Sequence, residues 1–478
     1  MSTSGSRMGA RAWGVLFVLC GAIFLEGIDV AMLNVALPAI REDLGLSTGV
    51  LSGVVSAYVL GYGGFMLLGG RAADLLGRRR MFLLWLAVFL AFSGLGGFAT
   101  EGWMLLVARF VTGVAAAFMA PAGLALVTTN FPDGPQRTRA LGVYAGTAAG
   151  GFSLGLVAGG LLVSAGWRWV FFAPVILAAL ILFAAFALLT DDVPEIRQTQ
   201  GFDLAGAASV TAAMLLLAYG VVRLENGGEG LGTTVAVVAA GAAFLGIFVL
   251  IERRSTNPLV RLAILRSAAL VRTNLGALLF MVAFAGFQFM VTLYLQELRG
   301  WSALQTGLAM LVVGIDTILA PTLTPWLVNR FGNVRVLFGG MLCAVLSYTL
   351  FLPVAPDWTY AAMLPSMLLL GLCFSLSYGP LTMAATDGVD EQEHGLAGGL
   401  LYTSMQFGMA LGVSAVTALS MATVSAEAAE GLSLDAIRNG LVLPAVAAVL
   451  AALITAFGLR RNAATPQAPT PATAHTPA

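Results

Sequence analysis

Four ionisable side chains lie well inside long apolar stretches of the sequence, where they could do chemistry: Glu26, Asp29, Arg109 and Asp316. An ion placed in hydrocarbon costs several kcal/mol, so an ionisable residue in such a stretch is a candidate functional group. Glu26 and Asp29 are three residues apart, and helical side chains with this spacing lie on one face. Two crowded carboxyl groups in a dry environment are suited to binding and releasing a proton. We therefore predict a proton-binding site at Glu26 and Asp29.

Arg109 lies about seven residues, or roughly 10 Å along a helix axis, inside its apolar stretch. Because its guanidinium is always charged, it requires a carboxylate partner at that depth. We expect Asp29 or Glu26 to be that partner, and the sequence does not choose between them. One interpretation is a functional pair whose protonation shifts a conformational equilibrium. The other is a fixed ion pair.

Glu26 and Asp316 each have a second interpretation as well. Glu26 could line a water-filled cavity without exchanging a proton. Asp316 lies within an apolar run that carries no recognisable motif. It could take part in binding a proton or a substrate, and it could equally pair with a cavity water or a hydroxyl group.

The composition places these residues in a membrane. The chain has 478 residues, of which 59% are apolar and 10% charged, whereas about 25% of a soluble domain is charged. A helix needs roughly 20 apolar residues to cross the hydrocarbon core. We predict an all-α membrane protein with fourteen spans, at 13–38, 50–69, 81–98, 103–125, 139–164, 168–189, 203–222, 232–251, 270–297, 304–328, 333–353, 359–382, 396–422 and 440–459. The first is too long and too acidic for a cleaved signal peptide.

The polar composition of the chain excludes several classes of function. All 24 basic residues are arginine, so there is no lysine for a Walker A phosphate loop or a Schiff base. A net charge of zero argues against nucleic acid as a partner. The three cysteines and two histidines form no ligand pattern, so we expect no metal and no cofactor. The protein is therefore not predicted to be an enzyme, although a membrane-embedded enzyme or a lipid scramblase is the alternative class.

The arginines also predict the orientation in the membrane. Positively charged short loops stay on the cytoplasmic side. Eighteen of the 24 arginines fall on the side of the two chain ends and five on the other. We therefore expect a multi-pass protein of the cytoplasmic membrane with both termini in the cytoplasm, and a disordered tail rich in Pro, Thr and Ala at the end.

Two short segments indicate an internal duplication. Residues 70–80 (GRAADLLGRRR) follow the second span, and a degenerate copy at 325–332 (PWLVNRFG) follows the tenth. The first resembles motif A of the major facilitator superfamily, G-x-L-A-D-R-x-G-R-R, with Ala72 and Leu75 as departures. A basic loop that stops membrane transfer is the alternative interpretation. The resemblance implies a role in conformational gating for Gly70, Asp74, Gly77, Arg78 and Arg79.

Three further stretches resemble motifs of the fourteen-helix drug:proton antiporters of this superfamily. Residues 29–38 (DVAMLNVALP) are similar to L-D-x-T-x-V-N-V-A-L-P, with Ile28 and Ala31 as departures. Residues 109–113 (RFVTG) are similar to motif B, R-x-x-Q-G, with Thr112 in place of glutamine. In the fifth span, Leu156 replaces the proline of motif C, the antiporter motif. The packing glycines of that motif are all present, at Gly142, Gly151, Gly155, Gly159 and Gly160.

The resemblance implies the major facilitator fold with 14 transmembrane helices in two six-helix halves. The halves are expected at 13–190 and 266–460, two inserted helices with their linkers at 191–265, and terminal tails at 1–12 and 461–478. It implies a monomeric, proton-coupled antiporter that exports amphiphilic drug-like or antibiotic compounds by alternating access and confers antibiotic resistance. Its partners are then that substrate, protons and the lipid bilayer. The missing motif C proline leaves an importer or facilitator on the same fold as an alternative.

Four polar or aromatic residues are candidates for contact with a substrate. Gln288, Gln406 and Phe287 would supply hydrogen bonds and an aromatic surface to an adaptable apolar cavity. Asn34 belongs to the signature in the first span. Ordinary packing is the alternative interpretation for this set.

Overall fold

The computed structural model describes residues 8–131, 135–190, 203–223, 230–255, 258, 262–387, 389, 394–421 and 433–462. All regular structure in these residues is helical, as the apolar runs predict, because lipid cannot satisfy exposed backbone amides. Thirteen helical segments are long and apolar enough to cross a membrane, and a further helix has a shorter apolar core at Ala205–Leu217. The all-α membrane fold expected from the sequence is therefore confirmed.

The first six helices form the first half of the bundle: α1 Ala10–Leu44, α2 Thr48–Leu76, α3 Arg78–Gly97, α4 Gly102–Asn130, α5 Pro135–Ala165 and α6 Trp169–Leu188. The expected end of the first span at residue 38 is wrong. Pro38 lies inside α1, and the helix continues to Leu44, where Gly45 ends it with a φ of 62°. Glycine adopts this left-handed conformation without a steric penalty, so it is a common helix stop.

Two further helices precede the second half: α7 Leu204–Arg223 and α8 Leu231–Arg254. The second half comprises α9 Ala268–Leu293, α10 Ala303–Met310, α11 Asp316–Phe331, α12 Asn333–Phe351, α13 Tyr360–Thr386, α14 His394–Met421 and α15 Leu434–Asn462. A 3₁₀ turn, Leu311–Ile315, joins α10 and α11 into one span, and a π-helical turn, Tyr294–Leu298, extends α9. Within the expected tails, α1 already begins at Ala10 and α15 continues to Asn462. Residues 1–7 and 463–478 and the segment 191–202 lie outside the described residues.

The duplicated motif forms the same tight joint in both halves. Gly77 separates α2 from α3 with a φ of 101°, and Gly332 separates α11 from α12 with a φ of 84°. Residues with a side chain rarely adopt such angles. The two motif copies therefore have a common backbone role, which is to reverse the chain between neighbouring spans.

The inserted helix α7 packs where the two halves meet. It contacts α2 of the first half and α14 of the second. The Thr211 hydroxyl of α7 donates a hydrogen bond to the carbonyl oxygen of Gly64 in α2 at 3.1 Å. On the same seam, the hydroxyl groups of Ser56 in α2 and Ser414 in α14 are 3.3 Å apart. The seam between α2 and α14 is thus covered by α7.

Glycines bring α5 against α1, the helix that carries Glu26 and Asp29. A Cβ atom on Gly151 would lie 2.7 Å from the Phe24 carbonyl oxygen of α1, and one on Gly159 would lie 2.9 Å from that of Met32. Gly160 faces α10 of the second half instead, and Gly142 also lies in α5. Small residues at this spacing permit close contact between helix backbones. The motif C glycines at 151, 155 and 159 therefore fix α1 in place.

Replacing Gly155 by leucine tests this packing. A Cβ there would already lie 2.7 Å from the Ala31 Cβ and 2.9 Å from the Ile28 carbonyl oxygen. Overpacking of this kind costs about 1–3 kcal/mol, so we expect a lower midpoint of thermal unfolding in detergent. Gly246→Leu is the matched control, since a Cβ on Gly246 in α8 has no neighbour within 4 Å. Equal midpoints for the two variants would contradict the close α1–α5 contact.

The two halves touch on one face of the bundle and separate toward the other. We name the face where α1 begins and α15 ends the terminal face, and the opposite one the distal face. Along one side of α5, Gly160 and Leu156 pack against α10, and Ser153 lies 3.4 Å from a hydroxyl group of α11. Closer to the terminal face, a Cβ on Gly150 or Gly146 would have no described atom within 4 Å. The seam between α5 and α11 is closed distally and open terminally.

Candidate functional site

A buried ion pair links α1 to α4 in the first half. Nη1 of Arg109 donates to Oδ2 of Asp29 at 2.5 Å, and each residue is only 2% exposed. The carboxylate partner expected for Arg109 is therefore present, and it is Asp29 and not Glu26. In a dry environment each of these ions depends on the other, because removing one leaves the charge of its partner uncompensated.

Close contact between α2 and α4 holds the guanidinium in this position. A Cβ on Gly113 of α4 would overlap the Tyr58 carbonyl oxygen, and one on Gly61 of α2 would overlap that of Phe110. The Tyr58 ring is thereby brought against Arg109, whose Cζ lies 4.4 Å from the ring centroid. A cation over an aromatic face is attracted by the ring quadrupole. The motif B sequence RFVTG thus provides both the cation and the glycine that lets Tyr58 approach it.

Glu26 lies in a different environment from Asp29. It is 6% exposed, and its Oε2 accepts a hydrogen bond from the Tyr62 hydroxyl at 3.2 Å. The Tyr62 ring meets the Tyr58 ring edge-on, with centroids 5.9 Å apart. One helix turn therefore separates a carboxylate with an arginine counter-ion from a carboxylate whose hydrogen-bond partner is a neutral phenol.

Asp316 lies in the second half, at the start of α11 and directly after the 3₁₀ turn. It is buried, and it accepts hydrogen bonds from the backbone and the hydroxyl group of Thr317. The Thr317 hydroxyl also lies 3.4 Å from that of Ser153 in α5, so this acid is beside the closed part of the seam. The pairing with a hydroxyl group that the sequence leaves open is present, and its role in binding stays a prediction.

Aromatic side chains from both halves form a continuous wall between them. The Phe152 ring of α5 lies 6.2 Å from that of Phe284 in α9, which is 4.9 Å from that of Phe374 in α13. Phe374 stacks on Tyr378 at 5.2 Å, and the Tyr378 hydroxyl donates to that of Tyr402 in α14 at 3.2 Å. Four of these five side chains are half-buried, and Phe284 is buried. The wall offers flat apolar surface with hydroxyl groups at one end.

The four residues predicted to contact a substrate differ in burial: two are half-buried and two are buried. Asn34 is half-buried in α1, and Gln406 is half-buried in α14 beside Gly63 of α2. Gln288 is 3% exposed, and its Nε2 has no hydrogen-bond partner among the described residues. Phe287 is placed differently from the prediction: it is 1% exposed and packs against Tyr348 and Phe351 of α12. It belongs to the core of the second half, because its ring faces α12.

The predicted gating residues cluster at the terminal end of α2 and the start of α3. Gly70 and Asp74 lie in the last turns of α2, Gly77 forms the joint, and Arg78 and Arg79 begin α3. The Arg79 guanidinium donates to the Phe186 carbonyl oxygen at the end of α6, at 3.5 Å. The Asp74 side chain lies outside the described residues, so its expected hydrogen bonding stays a prediction.

Sequence reasoning missed the tyrosines that surround Glu26. Tyr58 and Tyr62 lie four residues apart, so they share a face of α2, and this spacing was a usable signal. Tyr378 and Tyr402 lie on α13 and α14, far from α1 in sequence, and nothing in either segment alone relates them to α1. Aromatic residues with one polar atom inside apolar spans are therefore candidate site residues, as charged ones are.

An ion pair between the halves was also missed, and it lies on the distal face. Nη1 of Arg41 at the end of α1 contacts both carboxylate oxygens of Glu297, at 2.9 and 3.0 Å. Beside it, the Gln296 side chain donates to the Val35 carbonyl oxygen at 3.0 Å. Both partners of α1 come from the π-helical turn Tyr294–Leu298, a rare geometry that is enriched at functional sites. We call these two contacts the distal latch.

A charge reversal tests the distal latch. Arg41→Glu places like charges together and is expected to open the distal face, increasing labelling of Ala39→Cys by a polar thiol reagent about five-fold, since such a part-exposed pair contributes about 1 kcal/mol. The double variant Arg41→Glu/Glu297→Arg is expected to restore the wild-type rate. Arg168→Glu is the control, because Arg168 pairs with Asp43 within the first half at 2.9 Å. Equal labelling in the single and double variants would show that the contact does not hold the halves together.

Comparison with known proteins identifies the family of this two-half bundle. The family model described as Major Facilitator Superfamily matches residues 19–413. The chain belongs to the major facilitator superfamily. Its relatives in this superfamily include antibiotic resistance and export proteins. The puromycin resistance protein pur8 of Streptomyces alboniger is 33% identical over 90% of this chain and 86% of its own length. The cephamycin export protein CmcT of Amycolatopsis lactamdurans is 34% identical over 88% and 87%.

Solved structures of other transporters share the fold at low sequence identity. A POT family peptide transporter superposes with a TM-score of 0.68 and 18% identity over 98% of this chain and 99% of its own. The nucleoside transporter NupG superposes with a TM-score of 0.66 and 14% identity over 93% and 99%. The predicted superfamily fold is confirmed. Like its relatives, this chain is a multi-pass membrane transporter and not an enzyme.

Proposed function

We propose that this protein is an antiporter that exports amphiphilic, antibiotic-like compounds across the cytoplasmic membrane in exchange for protons. Export is supported by the relatives, whose names include resistance to puromycin and lincomycin and export of cephamycin and tetracenomycin C. The first half supplies buried ionisable groups, and both halves supply an aromatic wall. A proton entering down a potential of about 100 mV provides roughly 2.3 kcal/mol, before any pH gradient.

The observation that carries the proton coupling is the buried group of Glu26, Asp29 and Arg109. Ionisable residues within a membrane-spanning bundle are costly and therefore mark candidate transport sites, and here three meet within the first half. Their neighbours Tyr58 and Tyr62 belong to α2, which packs against α14 across the seam. A change of charge in this group therefore acts on a helix at the contact between the halves.

The closed distal face supports transport by alternating access. Positively charged loops argue that the terminal face is cytoplasmic, so the structure corresponds to a conformation open to the cytoplasm. Amphiphilic compounds would enter from the terminal side and meet the wall of Phe152, Phe374 and Tyr378. Flat aromatic surfaces with few fixed polar groups suit ligands of varied shape. One chain contains both halves, so we propose that the monomer transports.

Transport into inverted membrane vesicles tests the function. We expect uptake of at least one compound from a panel of puromycin, lincomycin, a cephamycin and tetracenomycin C when the vesicles are energised. A protonophore should abolish the uptake, and each addition of a transported compound should release protons from the vesicles. Vesicles from cells that express Arg109→Ala provide the control. Accumulation in right-side-out vesicles instead would identify an importer, and uptake that a protonophore does not affect would contradict proton coupling.

A further inference from the structure

We infer that Glu26 is the residue that carries the coupling proton, and that Asp29 is the fixed counter-ion of Arg109. This inference rests on the proposed antiport function and assigns its proton to one side chain. The two carboxyl groups are three residues apart on the same helix, but they differ in whether a cation neutralises them.

Asp29 is unsuited to releasing and binding a proton because of what it would leave behind. Its carboxylate holds the Arg109 guanidinium at 2.5 Å, and both groups are 2% exposed. Arginine stays charged in proteins, so a proton on Asp29 would leave a buried cation without a counter-ion. The Arg109 Nε already lacks a hydrogen-bond partner among the described residues, so no second acceptor is in place to replace Asp29. The pair is therefore neutral as a unit.

Tyr58 strengthens this pairing. Its ring lies 4.4 Å from the guanidinium carbon, and the glycine contacts between α2 and α4 leave it no room to withdraw. Arg109 is thus held between the Asp29 carboxylate and an aromatic face. A guanidinium restrained on two sides does not swing toward Glu26 when conditions change.

Glu26 can bind or lose a proton without breaking an ion pair. Its one described hydrogen bond comes from the Tyr62 hydroxyl, which can donate to a carboxylate and can accept from a protonated carboxyl group. The ionisable groups near it are Asp29 on its own helix, Arg109 of α4, Tyr58 and Tyr62 of α2, Tyr144 of α5, Tyr378 of α13 and Tyr402 of α14. Arg109 is the one cation among them. The net charge of this buried group is therefore 0 or −1, according to Glu26 alone.

Tyrosines from both halves allow the charge on Glu26 to act across the seam. Tyr378 and Tyr402, whose hydroxyl groups are 3.2 Å apart, belong to the second half and lie within electrostatic range of Glu26. A carboxylate attracts phenol hydroxyl groups, and a neutral carboxyl group attracts them less. Loading Glu26 with a proton therefore weakens an attraction between the halves on the open side of the bundle.

Asp316 is a buried acid of the second half, and it is less suited to the role. It lies at the first residue of α11 and accepts two hydrogen bonds from Thr317. It lies beside the closed part of the seam, next to the hydroxyl groups of Thr317 and Ser153, whereas Glu26 lies near tyrosines of both halves. Asp316→Asn therefore serves as a comparison for the removal of a buried acid elsewhere in the bundle.

Proteoliposomes that contain a pH-sensitive dye separate the two acids. We expect Glu26→Gln to exchange labelled substrate for unlabelled substrate, with no dependence of the rate on pH, while substrate-driven proton flux falls at least ten-fold. Asp29→Asn is expected to lose both activities, since Arg109 is left unpaired. Removing both charges in Asp29→Asn/Arg109→Gln is expected to recover proton flux at least ten-fold over Asp29→Asn alone. Asp435→Asn, at an exposed carboxylate of α15, controls for the substitution itself.

Two results would overturn the assignment. One is undiminished proton flux in Glu26→Gln, and the other is a double variant that exchanges substrate but moves no protons. If the double variant does not fold, the Glu26→Gln result decides, because loss of flux with intact exchange supports the assignment and retained flux refutes it. Transport by the wild-type protein without any substrate-driven proton flux would overturn the proposed antiport function instead.

Discussion

Arg109→Ala is expected to abolish transport and to lower the free energy of unfolding by about 3–5 kcal/mol, because removing one member of a buried ion pair leaves the other charge uncompensated. The residue left without a counter-ion is Asp29, which is 2% exposed and forms an ion pair with no other cation among the described residues. Growth on an exported antibiotic measures the loss of transport. Unfolding of the purified protein in detergent with increasing denaturant measures the loss of stability.

Arg168→Ala provides the matched control for this prediction. Arg168 also donates to an aspartate, Asp43, at 2.9 Å, and its guanidinium also lies 4.4 Å from an aromatic ring. The pair is about 40% exposed on the distal face, so water compensates either ion when the other is removed. Exposed pairs contribute about 0–1 kcal/mol. Equal loss of stability in the two variants would show that burial of the Asp29–Arg109 pair is unimportant.

The fold could be predicted from the sequence almost completely, because the lipid bilayer is the solvent of the spans. In hydrocarbon, a backbone must form helices, so an apolar run of sufficient length specifies both its structure and its location. The exceptions are local. The first span was expected to end at Pro38, but a proline in a long helix removes one hydrogen bond while the remaining turns continue to Leu44. The broken span was missed too, since the 3₁₀ turn Leu311–Ile315 has the same apolar composition as its neighbours.

The candidate site could be predicted only where its residues are ionised. Burial of Arg109 in lipid requires an acid, and the two acids of α1 were the available partners. The choice between them depends on the rotation of α1 relative to α4, and α1 is held by contacts of Gly151 and Gly159 of α5 with its backbone. No periodicity of α1 contains that information. The same holds for Phe287, whose aromatic ring suited a ligand wall but faces α12.

Contacts between the halves were beyond sequence reasoning for a related reason. Arg41 and Glu297 are separated by 256 residues, and each is an ordinary charged residue at a helix end. Only the assembled bundle brings them together. Residues of both halves form the distal latch and the aromatic wall, whereas motif resemblance is strongest in the first half alone.

A larger side chain inserted between the two halves should strongly reduce export. A Cβ on Gly307 of α10 would overlap the Leu156 carbonyl oxygen of α5, so these two helices meet backbone to backbone at the closed end of the seam. Gly307→Leu is therefore expected to hold the distal face apart and to reduce export at least ten-fold, because one of the two alternating conformations is no longer accessible.

Cross-linking across the distal latch distinguishes this loss of closure from general damage. In a background that lacks Cys20, Cys343 and Cys373, the pair Arg41→Cys/Glu297→Cys is expected to react with a short bifunctional thiol reagent. Adding Gly307→Leu should suppress that reaction at least ten-fold, whereas Gly246→Leu, on α8 away from the seam, should leave it unchanged. Efficient cross-linking in a Gly307→Leu variant that no longer exports would show that closure of the α5–α10 contact is not what transport requires. Because Leu156 occupies the motif C proline position, the same experiment tests whether α5 closes this gate through close backbone contact and not through a kink.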